Sequence, residues 1–257
     1  MSFALSFTQY DVINPPEYIG LENYREMFST DPLFHKSLGV TLLFVAISVP
    51  LRVGFALFIA HVLNFKLRGI NFFRSAFYLP SILGGSIAAA VMWRFIFSQN
   101  GLVNIVLAKF GLEPIAWLAD EHYSIWTVIL LFTWQFGSAM VIFLAALQNV
   151  PTSLYEAAEL DGASKWQQFW QITIPMLTPS IIVALIFRTI TALQTFDIPY
   201  TMTRGGPGEA TETLAMLIHK YTIDYSDISF GSTLAVFMFV ISMFVTGFYL
   251  RHIGKNA

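Results

Sequence analysis

Arg52 and Arg188 each stand near the middle of a long apolar stretch. An ionised side chain inside a bilayer is costly, so such residues face a cavity, a backbone carbonyl or a charged partner. Two guanidiniums along a pathway would favour an anionic ligand such as an acidic sugar. Structural pairing with carbonyls or with another subunit is the other reading. Arg94 and Asp197 fall nearer the ends of their stretches, where the interface lowers the cost, and Arg94 is long enough to snorkel. Two further segments, Thr133-Trp134-Gln135 with Gly137, and Gln194-Thr195-Phe196, combine aromatic faces with amide or hydroxyl hydrogen-bonders. That mix suits carbohydrate recognition; plain helix packing by Trp134 and Phe196 is the alternative.

Other chemistries are poorly supplied. The chain has no cysteine, hence no disulfide framework and no thiol site. Its five histidines (His35, His61, His122, His219, His252) show no ligand spacing, so no metal is expected. No nucleophile–base constellation stands out, so no catalytic residue is assigned. There is no G-x-x-x-x-G-K-[ST] phosphate loop, and no cofactor is expected to be held by this chain. A formal net charge of −2 argues against a nucleic-acid partner.

The elements that must position these residues are set by composition. Of 257 residues, 56% are hydrophobic and 12% charged, about half the charge of an ordinary soluble domain. Mean hydropathy is +0.63. The expected fold is all-α, a single polytopic membrane helix bundle over residues 1–257. A span needs about twenty mostly apolar residues, and five segments qualify: 38–63, 75–97, 125–147, 177–195 and 232–250. In lipid each must satisfy its own backbone, so each reads as a helix. Turn residues such as Gln99-Asn100-Gly101 and Arg204-Gly205-Gly206-Pro207 separate them. The first seven residues are too short to span and lack the basic flank of a signal peptide. They read as the tail of a first helix whose beginning is absent, the alternative being a chain that starts here and has five helices, with 1–37 forming an outer segment. No internal repeat is visible.

Lys66, Arg68, Arg74, Lys165, Arg251 and Lys255 fall on one side of these spans. Arg25, Lys36, Lys109, Arg204 and Lys220 are spread more thinly over the other, which also holds most of the acidic residues. The positive-inside rule therefore places the polar segment 151–176 in the cytoplasm. Within it, Ser153 with Glu156, and Ser164 with Gln167, have capping-box spacing. Gly162 is placed as a helix stop able to turn left-handed. Two short helices are expected, with Ala157 and Ala158 giving a low-relief face and Leu154, Leu160 and Trp166 as apolar anchors. Pro175 and Pro179 are expected in the first turn of the next span. Glu156, Glu159 and Asp161 oppose a single Lys165, a balance that suits a protein groove better than an anionic membrane surface.

Residues 153–177 resemble, at full spacing, the coupling loop of ABC-importer permeases: Glu156-Ala157-Ala158, then Gly162, then Ile172-Thr173-Ile174-Pro175. Tyr155, Asp161, Gly162, Ala163 and Phe169 fit the sugar-importer version of that loop. The likeness extends along nearly the whole chain. Ser6-Phe7-Thr8-Gln9-Tyr10-Asp11, Gly20-Leu21-Glu22-Asn23-Tyr24, Arg74 through Pro80 and Gly205-Gly206-Pro207 are similar to segments of sugar-type permeases. The resemblance implies a multi-pass subunit of a bacterial or archaeal cytoplasmic membrane. It implies that this subunit pairs with a second permease and offers Glu156, Ala157, Ala158, Asp161, Gly162 and Pro175 to one of two cytoplasmic ATPase subunits, which bind the ATP. An extracytoplasmic binding protein would deliver a sugar to the opened cavity. Trp134, Gln135, Gly137, Gln194, Thr195 and Phe196 resemble positions lining the sugar site of a maltose-type permease. A permease for glycerol phosphate or polyamine, a secondary transporter and a membrane enzyme are the alternatives. Many secondary transporters carry repeat halves with broken helices, a pattern not visible in this sequence.

Overall fold

The computed structural model describes residues 1–10, 13–65, 69–84 and 87–252, and it is almost wholly helical. Lys66, Arg68 and Lys255 of the charge asymmetry, and Asp11 of the N-terminal motif, lie outside the described residues. A short helix α1 (Ser2–Leu5) leads into an antiparallel pair, β1 (Thr8–Gln9) and β2 (Glu17–Tyr18), with Thr8 opposite Tyr18. Helix α2 (Glu22–Ser29) precedes the long α3 (Pro32–Leu63). Then come α4 (Ile70–Gly84), α5 (Ile87–Ile96), α6 (Leu102–Lys109), α7 (Glu121–Trp134) and α8 (Gly137–Gln148). The polar segment carries α9 (Thr152–Leu160) and α10 (Lys165–Gln168). Helices α11 (Ile174–Leu193), α12 (Asp197–Thr203), α13 (Leu214–His219) and α14 (Ile228–His252) complete the chain.

Three of the five expected spans are single helices. Segments 38–63 and 232–250 lie inside α3 and α14, and 177–193 lies inside a helix that runs unbroken from Lys165 to Leu193. The other two are corrected. Segment 75–97 is divided between α4 and α5, with a 96° change of direction, and 125–147 between α7 and α8, with a 40° bend. Counting each bent pair as one crossing gives five. The second break falls at Gln135-Phe136, where Gln135 turns to ψ 34. Its physical basis is tertiary. Side chains from α3 and α4 take up the freed backbone groups, as described below, so lipid does not enforce continuity there.

Helix α3 is the central post. Asp31 caps it by accepting from the Leu33 N–H at 2.9 Å, and Pro32 sits where a missing N–H is harmless. Its buried face carries Ser37, Thr41, Ser48, Arg52, Ala56 and Ala60 beside Phe44 and Val49, whereas Leu43, Leu51, Phe55 and Phe58 are exposed. This inverts the soluble pattern. Lipid is as apolar as leucine, so bulk apolar residues gain nothing by facing inward. Small residues that allow close approach hold membrane helices together. The main core joins α3, α5, α7, α8 and α11, with Phe44 and Phe132 meeting edge to face at 5.1 Å. A second core around Met27, Phe34, Leu217 and Phe230 ties α2, α13 and α14 to the start of α3.

Polar bonds at this end fix the N-terminal segment. Asn23 Nδ2 donates to the carbonyls of Ser6 (3.1 Å) and Thr8 (2.9 Å), and Thr233 Oγ1 donates to that of Ser6 at 3.3 Å, which pins α1 and β1 against α14. The Tyr221 hydroxyl donates to Asp31 Oδ2 at 3.0 Å, and burial, reinforced by that carboxylate, pushes the phenol above its ordinary pKa. Burial alone would lower the Lys220 ammonium, but the hydrogen bond and charge of Glu212 outweigh it and hold the group above the usual lysine value.

Gly137 tests the α4–α8 contact. A Cβ there would lie 2.7 Å from the Phe77 carbonyl oxygen and 2.8 Å from Ser81 Oγ, while one at Gly39 would meet nothing within 4 Å. Overpacking of this kind costs about 1–3 kcal/mol. Gly137→Ala is therefore expected to lower the thermal midpoint of the detergent-purified protein by several degrees in scanning fluorimetry. Gly39→Ala should leave it unchanged or slightly raised. Equal drops would show that the glycine contact is not tight.

Candidate functional site

A cavity of about 360 Å³ opens in the middle of the bundle. Arg52 lies 20 residues after Pro32 and 11 before Leu63, about 30 Å and about 16 Å along the helix. It is 4% exposed. One of its terminal nitrogens, Nη2, donates to the Gln135 carbonyl at 2.5 Å, and its guanidinium lies 4.5 Å from the centre of the Phe132 ring. Ser81 on α4 donates to the same carbonyl at 3.0 Å and accepts from the Ser138 N–H at 3.1 Å, so it bridges the break between α7 and α8. Arg188 on α11 donates through Nη2 to Ser138 Oγ at 2.6 Å. Four helices thus meet through one hydrogen-bonded cluster.

The structure brings Arg52, Gln135, Arg188, Gln194, Thr195 and Phe196 together on this cavity. Trp134 and Gly137 are corrected. One position before the break, Trp134 turns away from the cavity and packs in the core, 5.7 Å from Trp93. Gly137 faces the α4 backbone. Ser81, Ser138, Thr191 and Asp197 also line the cavity. Asp197 was visible in sequence as a polar residue at the end of a stretch. The serines and the threonine carried no signal, because hydroxyls of this kind are common in membrane helices. Phe196 stacks on Tyr200 at 4.8 Å and on His219 at 5.0 Å, forming an aromatic edge to the cavity. Among the described residues no three His, Asp or Glu side chains gather as a metal set.

The second site is the exposed hairpin of α9 and α10. Gly162 has φ +76, with open space around its Cβ position, so the backbone conformation alone calls for glycine. The turn closes with Ala163 N–H donating to the Ala158 carbonyl (2.9 Å) and Gly162 N–H to that of Glu159 (3.1 Å), a Schellman stop. Ser164 and Gln167 form the reciprocal capping box of α10. Ser153 and Glu156 do not. Pro151 is the N-cap, two residues earlier than that spacing implies, so Ser153 already sits inside the first turn and caps nothing. Glu156, Ala157, Asp161, Gly162 and Pro175 are exposed and Ala158 is half-buried. Leu160 is 90% and Trp166 70% exposed. Lys165 pairs with Glu159, and the hydrogen bond and charge of that ammonium hold the Glu159 carboxyl below its usual range.

Pro175 stands in the first turn of α11, as expected, whereas Pro179 lies inside that helix. Pro175 has no N–H for the preceding turn, yet the helix passes through it. The turn at Phe169–Thr173 widens so that the Ile174 N–H reaches the Phe169 carbonyl, and the Lys165–Leu193 helix remains continuous. Thr173 meets the Tyr155 hydroxyl at 2.9 Å, and Phe169 packs edge-on to His61 at 5.0 Å. The hairpin is thereby rooted against the far end of α3, opposite the end that holds Asp31.

The family described as binding-protein-dependent transport system inner membrane component matches residues 41–256. The chain is 46% identical over 250 residues to the sulfoquinovosyl glycerol transport system permease protein SmoG of Agrobacterium fabrum, covering 97% of this chain and 80% of the other. It is 44% identical over 248 residues to the probable ABC transporter permease protein YesP of Bacillus subtilis (95% and 80%). To the trehalose/maltose transport system permease protein MalF of Thermococcus litoralis it is 36% identical over 245 residues (94% and 82%). In fold it is similar to a chain of a bacterial ABC transporter involved in the import of the acidic polysaccharide alginate. The TM-score is 0.83 at 22% identity, over 98% of this chain and 88% of that one.

The two caps of the hairpin give a graded expectation. Placing a β-branched residue at Gly162 forces a left-handed backbone costing about 1–2 kcal/mol, and losing the Ser164 cap costs about 1 kcal/mol. Hydrogen exchange of residues 152–168 is expected to accelerate about tenfold in Gly162→Val and about fivefold in Ser164→Ala. Ser153→Ala should leave it unchanged. Acceleration in Ser153→Ala would mean that Ser153 caps α9 after all.

Proposed function

This chain belongs to the family of binding-protein-dependent transport system inner membrane components, and we propose that it passes a sugar or oligosaccharide through the cavity around Arg52 and Arg188. It is a multi-pass membrane permease of the ABC-importer class. The proposed partners are a second permease subunit, which completes the pathway, two ATPase subunits in the cytoplasm and an external solute-binding protein. ATP is bound and hydrolysed by the ATPases, and no catalytic role is assigned to this chain. The sugar reading is supported by two of the relatives reported above, named for sulfoquinovosyl glycerol and for trehalose/maltose, and by a cavity that sets hydroxyl and amide donors beside the Phe196 ring.

The observation that carries the coupling role is the unbroken Lys165–Leu193 helix. One end belongs to the exposed hairpin. Arg188, 23 residues further on, faces the cavity about 35 Å away. Closing of the ATPases on ATP would draw the hairpin with them, and a continuous helix hands that displacement to the cavity wall. The Schellman turn and the capping box keep the hairpin from bending, and the contact of Phe169 with His61 gives the lever a bearing on α3. The exposed acidic face around Glu156 and Asp161, with Leu160 and Trp166 at its edges, fits a groove with basic and apolar lining.

Glu156→Lys and Gly162→Pro are expected to reduce the ATPase subunit recovered with the affinity-purified permease at least tenfold. The first reverses the charge of the docking face; the second imposes a negative φ on a residue at +76. Sugar uptake in vesicles should stop when ATP is depleted. Uptake that persists without ATP would point to a secondary transporter.

A further inference from the structure

We propose that the cavity selects sugars carrying a single negative charge, a carboxylate or a sulfonate, and that Arg188 is the residue that reads it. The proposal rests on the sugar-permease reading and names the substrate class of the same site. Arg52 and Arg188 line one cavity, and its lining contains one carboxylate, Asp197. The lining thus carries +2 and −1, a net +1. Neither arginine has a carboxylate within 4 Å among the described residues, whose ion pairs are Lys36–Glu209, His122–Asp120, Lys165–Glu159 and Lys220–Glu212. Two like charges facing one low-dielectric space raise the energy of the unoccupied site. A monoanionic ligand lowers it and leaves the cavity neutral.

Hydrogen-bond capacity agrees. A guanidinium has five N–H donors. Arg52 makes one hydrogen bond, to the Gln135 carbonyl, and Arg188 makes one, to Ser138 Oγ, among the described residues. Arg52 Nε and Gln135 Nε2 are further donors, buried without a partner. These spare N–H donors outnumber the one carboxylate of the lining, Asp197, and call for an acceptor-rich group; an oxyanion accepts from several N–H at once. The two arginines differ in what the fold requires of them. Arg52 closes the backbone break at Gln135, which gives it a structural reason to be here. Arg188 closes no break, and its one partner is a hydroxyl that a neutral side chain could serve equally well. The positive charge at 188 is left without a structural reason. Beside it, Thr191, Gln194 and the Phe196 ring supply what uncharged sugar hydroxyls and a sugar face need.

The test uses the assembled importer, with its partner permease, ATPases and binding protein, in proteoliposomes. Three probes of similar size are offered: a neutral galactose disaccharide, a galacturonate disaccharide and a hexoside bearing a 6-sulfonate. Affinity of the binding protein for each is measured separately, so that delivery and passage are distinguished. The wild type is expected to import at least one anionic probe, and which one separates carboxylate from sulfonate. Arg188→Gln should lower anionic uptake about tenfold or more relative to neutral uptake, the range for losing a hydrogen bond to a charged group, while retaining its partners. Arg188→Lys should recover most of the anionic uptake. Import of neutral sugar alone, equal loss on charged and neutral probes, or loss of the partner permease from Arg188→Gln would each overturn the charge proposal while the sugar reading stands. Absence of any ATP-driven sugar import would overturn both.

Discussion

The bundle depends on one requirement: a backbone carbonyl released inside a membrane must find a donor. The turn at Gln135-Phe136 breaks what would otherwise be one span and frees the Gln135 carbonyl. Arg52 from α3 and Ser81 from α4 take it, and Ser81 also receives the Ser138 N–H across the gap. That exchange fixes three helices at one point. It also explains why an arginine is tolerated inside the long α3, where its charge is met by a carbonyl dipole and the face of Phe132. Arg188 joins the cluster through Ser138, so the α11 lever ends on the bend itself. The polar walls of the cavity are in this sense a by-product of satisfying a broken helix.

From that junction the rest follows mechanically. The break makes room for a cavity and turns α8 down toward the hairpin. The hairpin is rigid because its turn is closed by backbone bonds and by one capping box, and because Tyr155 and Thr173 tie its base together. The helix that leaves it widens for one turn to pass Pro175 and then runs straight to the cavity. The hairpin is acidic and exposed; the cavity wall at Arg188 is basic and largely buried. The acidic residues lie on α9 and its turn, the basic one on the Lys165–Leu193 helix that follows.

Much of this was legible in the chain. Apolar runs gave the spans, because a bilayer demands length and internal hydrogen bonding whatever the neighbours are. Gly162, Ser164 and Gln167 announced their turn and cap because such signals are local. Ser153 misled, since its spacing to Glu156 is right but Pro151 moved the start of the helix. The two broken spans were not legible. Hydropathy averages across a bend, and no proline or glycine stands in the Gln135-Phe136 break itself. Trp134 was drawn to the cavity by its type and removed from it by helical phase.

Sequence alone therefore determined the class of molecule and the turn and cap chemistry of the α9–α10 hairpin. Each follows from short-range rules or from total composition. The tertiary structure decided which polar residues meet. In a membrane helix both faces are apolar, so periodicity does not tell the buried face from the lipid face. Only packing shows that Arg52, Gln135, Ser138 and Arg188, separated by up to 136 residues in the chain, converge on one space.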